Sequence, residues 1–112
     1  NDTQVRDDGL GTNLHALWDS RLFYRQRMGD DRYLDTLWTM PMAIELPRKP
    51  LPPPSPEWAE ASCAIVLQPG FYPAKPILEP AYFADWTPTA ESQIKRAGAR
   101  LAQLLNAALS AR

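Results

Sequence analysis

Apolar residues recur along this chain at helical rather than strand spacing. Leu14, Leu17, Trp18 and Leu22 fall three or four residues apart and Phe23 widens the stripe, the pattern of a helix with one buried face. Thr12 stands before it as a candidate N-cap, its hydroxyl able to accept from a free N–H of the first turn. Gly29 offers a left-handed C-terminal residue, so a helix is predicted over 12–28. Arg21, Arg25 and Arg27 then line its solvated side, near the negative end of the helix dipole. Upstream, residues 1–11 are polar and turn-rich; Asp8-Gly9 is a hairpin or tight-turn signal, and the segment reads as a loop. A second helix, over 30–46, is capped by Asp30 or Asp31 and buries Tyr33, Leu34, Leu37 and Trp38. Pro41 ends or kinks it, because it lacks an N–H and clashes with the preceding turn.

Residues 47–56 run Pro-Arg-Lys-Pro-Leu-Pro-Pro-Pro-Ser-Pro and read as a stiff connector on an extended polyproline path. A third helix over 57–67 turns Trp58, Ala61 and Ile65 inward, with Cys63 as a small buried apolar residue and Val66 beside it, and Pro69-Gly70 stops it. Residues 68–87 form a proline-rich loop with a helical turn near Pro80, its five aromatics serving as core cover. The last helix spans 88–110, with Thr87 as cap and Pro88 at the first helical position. Ile94, Ala97, Leu101, Leu104 and Ala108 make a core-facing seam, and Gly98 marks a close approach by a neighbouring helix. No alternating strand pattern exceeds a few residues. The expected fold class is all-α, a helical bundle.

Composition narrows the function classes. A chain of 112 residues with net charge −1 suits one ordinary domain or a portion of a larger one. Its dispersed basic residues exclude long-range electrostatic capture of nucleic acid, though not a metal that grips a phosphate locally. No apolar run reaches the ~20 residues that span a bilayer. A single cysteine excludes an internal disulfide.

The chemistry concentrates at the only histidine. His15 and Asp19 stand one helical turn apart on one face, where an imidazole and a carboxylate can close on a divalent metal such as zinc. The same spacing also serves a surface histidine satisfied by its neighbour. There is no second histidine, no cysteine pair and no glycine-rich phosphate loop. Ser20 and Ser62 lack any nucleophile-elbow context.

The wider string Thr12-Asn13-Leu14-His15-Ala16-Leu17-Trp18-Asp19 resembles the T-N-L-H-x-x-W-D segment of the zinc-dependent single-strand-specific nucleases and 3′-nucleotidases of the S-one/P-one type. These share an all-helical fold with zinc phospholipase C. Residues 93–106, from Gln93 through Ala97-Gly98 and Arg100-Leu101-Ala102 to Asn106, are similar to that family's terminal helix. Trp58-Ala59-Glu60-Ala61-Ser62 resembles its W-A-x-E-S helix, with Ala61 where Glu is usual, and Asn1 falls where a G-G-N turn would end.

The resemblance implies a trinuclear zinc site that hydrolyses single-stranded DNA and RNA, and 3′-nucleotides, to 5′-phosphate products. It implies His15 and Asp19 as ligands of one zinc, shared with an upstream histidine. Asn13 is implied at the scissile phosphate or leaving oxygen, and Asn1 near the nucleoside pocket. On this reading the chain is the C-terminal portion of a secreted or periplasmic enzyme with no membrane partner. Its own partner is the N-terminal part of the same protein, which carries the remaining ligands. The competing expectations are a small helical interaction module and a zinc-phospholipase-like lipid hydrolase.

Overall fold

The computed structural model describes residues 3–41 and 55–110. Asn1, the tail of the expected second helix beyond Pro41 and most of the proline connector lie outside the described residues.

Asp8 and Gly9 both take positive φ, 49° and 81°, the backbone that a two-residue type I′ hairpin turn demands. They join β1 (Gln4–Asp7) to β2 (Leu10–Asn13) as an antiparallel pair in the register Gln4↔Asn13 through Asp7↔Leu10. The expected loop at 1–11 is therefore largely a hairpin. Its inward positions are Val5 and Asp7, and a carboxylate at one of two buried sites erases the alternation that would mark a strand. Residues 76–78 dock against β1, Arg6 donating to the Pro76 carbonyl and Leu78 to the Arg6 carbonyl.

The first helix, α1, follows β2 without a loop. It has an α-helical start (Leu14–Ala16), a π-helical turn (Leu17–Arg21) and an α-helical end (Leu22–Tyr24). Leu14, Leu17 and Leu22 are 1%, 0% and 0% exposed, so the apolar stripe read from spacing is the centre of the core. The cap is Asn13 rather than Thr12, which pairs with Val5 inside the hairpin. The helix ends earlier than expected, and Arg27 rather than Gly29 takes the left-handed conformation, at φ 51°.

Helix α2 (Asp30–Thr39) begins after Gly29, with Asp30 and Asp31 in its first turn rather than at the cap. Met40 turns extended, at ψ 126°, as the residue before Pro41 must. Leu37 is buried, but Leu34 and Trp38 are 62% and 81% exposed, contrary to the expected face. Polar pins hold α2 instead. Tyr33 Oη donates to Glu91 Oε1 at 2.7 Å, and Lys95 Nζ donates to the Trp38 and Met40 carbonyls at the helix end.

Helix α3 (Ser55–Val66) has no fully buried residue. Ile65 and Val66 pack against the core cluster, and Cys63 is exposed rather than buried. Helix α4 runs from Pro80 to Ser110. The expected break at Thr87-Pro88 does not occur: Pro88 lies inside the helix, which gives up the bond its missing N–H would have made. Tyr82, Phe83, Trp86, Thr87 and Ala90 are all buried along this stretch. That continuous packing overrides a local capping signal that is well formed in sequence. The far half of the seam is bare among the described residues, with Leu101 and Leu105 over half exposed. A Cβ at Gly98 would meet nothing within 4 Å, so among the described residues no helix approaches that glycine closely.

The result is a mainly helical fold in which one hairpin braces the start of α1. The core lies between α1, the 71–78 segment and the first turns of α4. None of the described helices is long and apolar enough to cross a membrane.

Candidate metal centre

The site begins at the strand-to-helix junction. Asn13 is extended, at φ −123° and ψ 164°, and its Oδ1 accepts from the Ala16 N–H at 2.8 Å. Leu14 N–H is tied to the Thr3 carbonyl at 3.0 Å. Between these two anchored amides sits His15. One turn on, its Nε2 lies 3.0 Å from Asp19 Oδ2, both side chains open to solvent at 67% and 60%.

That separation suits a shared cation. Two ligands on tetrahedral zinc, each about 2.0–2.1 Å from the metal, stand about 3.3 Å apart. The same 3.0 Å is an ordinary imidazole–carboxylate hydrogen-bond distance, so the donors fit each other as well as two of the four positions a zinc requires. No group of three or more His, Cys, Asp or Glu residues able to hold a metal exists among the described residues. Among the described residues, the pair supplies two possible donors and no third.

Asp19 belongs to the π-helical turn, where Leu22 N–H reaches back to the Leu17 carbonyl. Wide turns of this kind re-aim side chains and recur at functional sites. Trp18 holds the turn in place. Its Nε1 donates to Tyr82 Oη at 3.1 Å, and Tyr82 donates in turn to the Phe71 carbonyl at 2.9 Å. The Trp18 ring packs against Phe71 and Trp86 at centroid distances of 4.8 and 5.7 Å. Burial raises the Tyr82 pKa, with the Trp18 hydrogen bond opposing it, so this hydroxyl stays protonated and can serve both neighbours. A cleft of about 330 Å³ opens beside the pair. Leu14, Trp18, Ile65, Val66 and Phe71 form its apolar wall, with Ser62 and Gln93 at its polar edge.

On the opposite side, Arg25 Nη1 lies 2.6 Å from the buried Asp7 and 3.1 Å from Asp8, with Arg21 at 4.0 Å from Asp7. The Arg25 guanidinium also covers the Phe83 ring at 3.9 Å. Two of the three arginines read as solvated are therefore clamps between α1 and the hairpin turn.

A family model for S1/P1 nuclease matches residues 1–110. The chain belongs to the S1/P1 nuclease family. No curated protein matches it. Within this nuclease chain His15 and Asp19 come together as their spacing required, and Asn13 lies one residue before the helix they share. Sequence reasoning missed Tyr82, Asp7 and the π turn. Tyr82 was visible only as one aromatic among five, and Asp7 as one of two turn aspartates. The π turn had no signal in residue spacing at all.

Proposed function

We propose that this chain is the C-terminal part of an exported zinc-dependent phosphodiesterase of the S1/P1 nuclease family, acting on single-stranded DNA, RNA and 3′-nucleotides to leave 5′-phosphates. The observation that carries this reading is the His15–Asp19 pair, 3.0 Å apart on an open helix face, in a chain matched to the family over residues 1–110. Bound zinc supplies Lewis-acid polarisation of a phosphate oxygen and offsets charge on the departing 3′-oxygen.

The chain's own residues do the rest of what is proposed here. His15 Nε2 and Asp19 Oδ2 offer their lone pairs to one metal. The Trp18–Tyr82–Phe71 relay fixes the turn that carries Asp19. The apolar cleft wall borders one side of the pair. The other ligands come from the N-terminal part of the same protein, and the bare apolar positions of α4 fit a surface that such a part would cover.

Zinc titration followed through the His15 imidazole resonance, together with cleavage assays on single-stranded DNA, tests this. The chain by itself should bind zinc weakly and leave the DNA intact, and the N-terminal part should restore cleavage. Single-strand cleavage by the purified chain alone would overturn the half-site reading.

A further inference from the structure

Asn13 occupies two elements at once. It is the last residue of β2, paired with Gln4, and the N-cap of α1, its Oδ1 accepting from Ala16 N–H at 2.8 Å. No loop separates strand from helix, so the first turn is oriented by this residue, by Leu14 N–H on the Thr3 carbonyl and by the Leu14 side chain in the core. The amides at the start of a helix have no partner within it; of the first three here, two are fixed from outside, and His15 stands between them. Asp19 is fixed independently, by the π turn and by Trp18 on Tyr82. The two halves of the donor pair thus have separate supports. A first turn that frays carries the imidazole away from a carboxylate that does not move with it.

We propose that Asn13 is a positioning residue for the His15–Asp19 pair, acting through its acceptor oxygen on Ala16 N–H and not through its amide N–H on substrate. The inference rests on the reading of that pair as metal ligands. It separates two roles for one side chain that have opposite chemical requirements. A cap needs only an oxygen acceptor, which serine supplies about as well as asparagine. A contact made by Nδ2 to a phosphate or leaving oxygen needs the amide N–H, which serine lacks; its one O–H leaves from the shorter side chain's oxygen and not from the Nδ2 position.

The test uses Asn13→Ser and Asn13→Ala in the whole 112-residue chain. Zinc is titrated against the His15 Cε1–H resonance, which is unambiguous because the chain has one histidine. Exchange of the Ala16 amide is read alongside. N13S should bind zinc within about twofold of the unsubstituted chain and keep Ala16 protected. N13A should bind about fivefold more weakly, the loss expected for removal of a typical N-cap, with faster Ala16 exchange. Zinc affinity unchanged in N13A, or as weak in N13S as in N13A, overturns the proposal. Should N13A fail to fold, N13S decides alone, since it keeps the acceptor and lacks the amide. A His15 resonance that ignores zinc in the unsubstituted chain removes the metal reading itself, a failure distinct from both.

Discussion

Asp7 is the residue whose environment departs furthest from its type. A carboxylate at a buried strand position is costly unless paired and hydrogen-bonded, and Asp7 is 7% exposed. Its partner Arg25 reaches it at 2.6 Å while keeping a third of its own side chain in solvent. Removing the carboxylate should cost roughly 1.5–3 kcal/mol, the range for a hydrogen bond to a charged group. Asp8 meets the same guanidinium at 3.1 Å but is 83% exposed, where an ion pair contributes about 0–1 kcal/mol. The expected outcome is a clear drop in urea midpoint for D7A and almost none for D8A. Equal losses from the two substitutions would mean that the clamp draws on solvent-side attraction rather than on a buried partner.

At the scale of elements, the docking of α2 on α4 is unusual in being mostly polar. Tyr33 donates to Glu91 at 2.7 Å, and burial first, then that hydrogen bond and the Glu91 charge, raise the Tyr33 pKa above its ordinary value. Because the folded state holds the phenolic proton more tightly than the unfolded state, its stabilisation is complete below about pH 10, the ordinary tyrosine value. It is lost as pH climbs from there toward the raised folded value. Tyr82 is shifted in the same direction by burial. Y33F should therefore shrink, without abolishing, the fall in stability as the pH rises above about 10. An undiminished fall in that variant would show that the Glu91 contact contributes nothing to alkaline sensitivity.

The same elements show what the sequence could and could not convey. Helix periodicity announced α1 because Leu14, Leu17 and Leu22 all face one core. It failed for α2, where Leu34 and Trp38 follow the pattern yet stay in solvent, since periodicity states which residues share a face and not whether anything covers it. Thr87-Pro88 carried a sound capping signal, but Tyr82, Phe83 and Trp86 draw the helix back to Pro80. Spacing put His15 beside Asp19. It could not show that Asn13, and not Thr12, starts their helix, because that depends on the hairpin register with Gln4.

Across the whole molecule, packing is uneven. A compact chain of this length has a radius of gyration of about 13 Å, and this one has 16.3 Å with extents of 53 × 31 × 22 Å. A helix as long as Pro80–Ser110 accounts for the elongation: at about 1.5 Å per residue it outreaches the body it packs against. Its first turns bury Tyr82, Trp86 and Ala90, whereas Leu101, Leu105 and Leu109 are 56%, 53% and 68% exposed. Side-chain truncation in the core and on the distal part of α4 should therefore differ sharply. Leu17→Ala, at a site with no exposure, should cost about 2–5 kcal/mol through lost transfer energy and the cavity left behind. Leu101→Ala and Leu105→Ala remove side chains that already meet water, and each should cost about 0.5 kcal/mol or less, read from the urea midpoint. If the N-terminal part of the protein covers this seam, the ranking changes on reconstitution, and Leu101→Ala then weakens assembly while still sparing the chain's own fold. A loss from Leu101→Ala as large as that from Leu17→Ala in the chain alone would instead mean that the distal helix is already buried in solution.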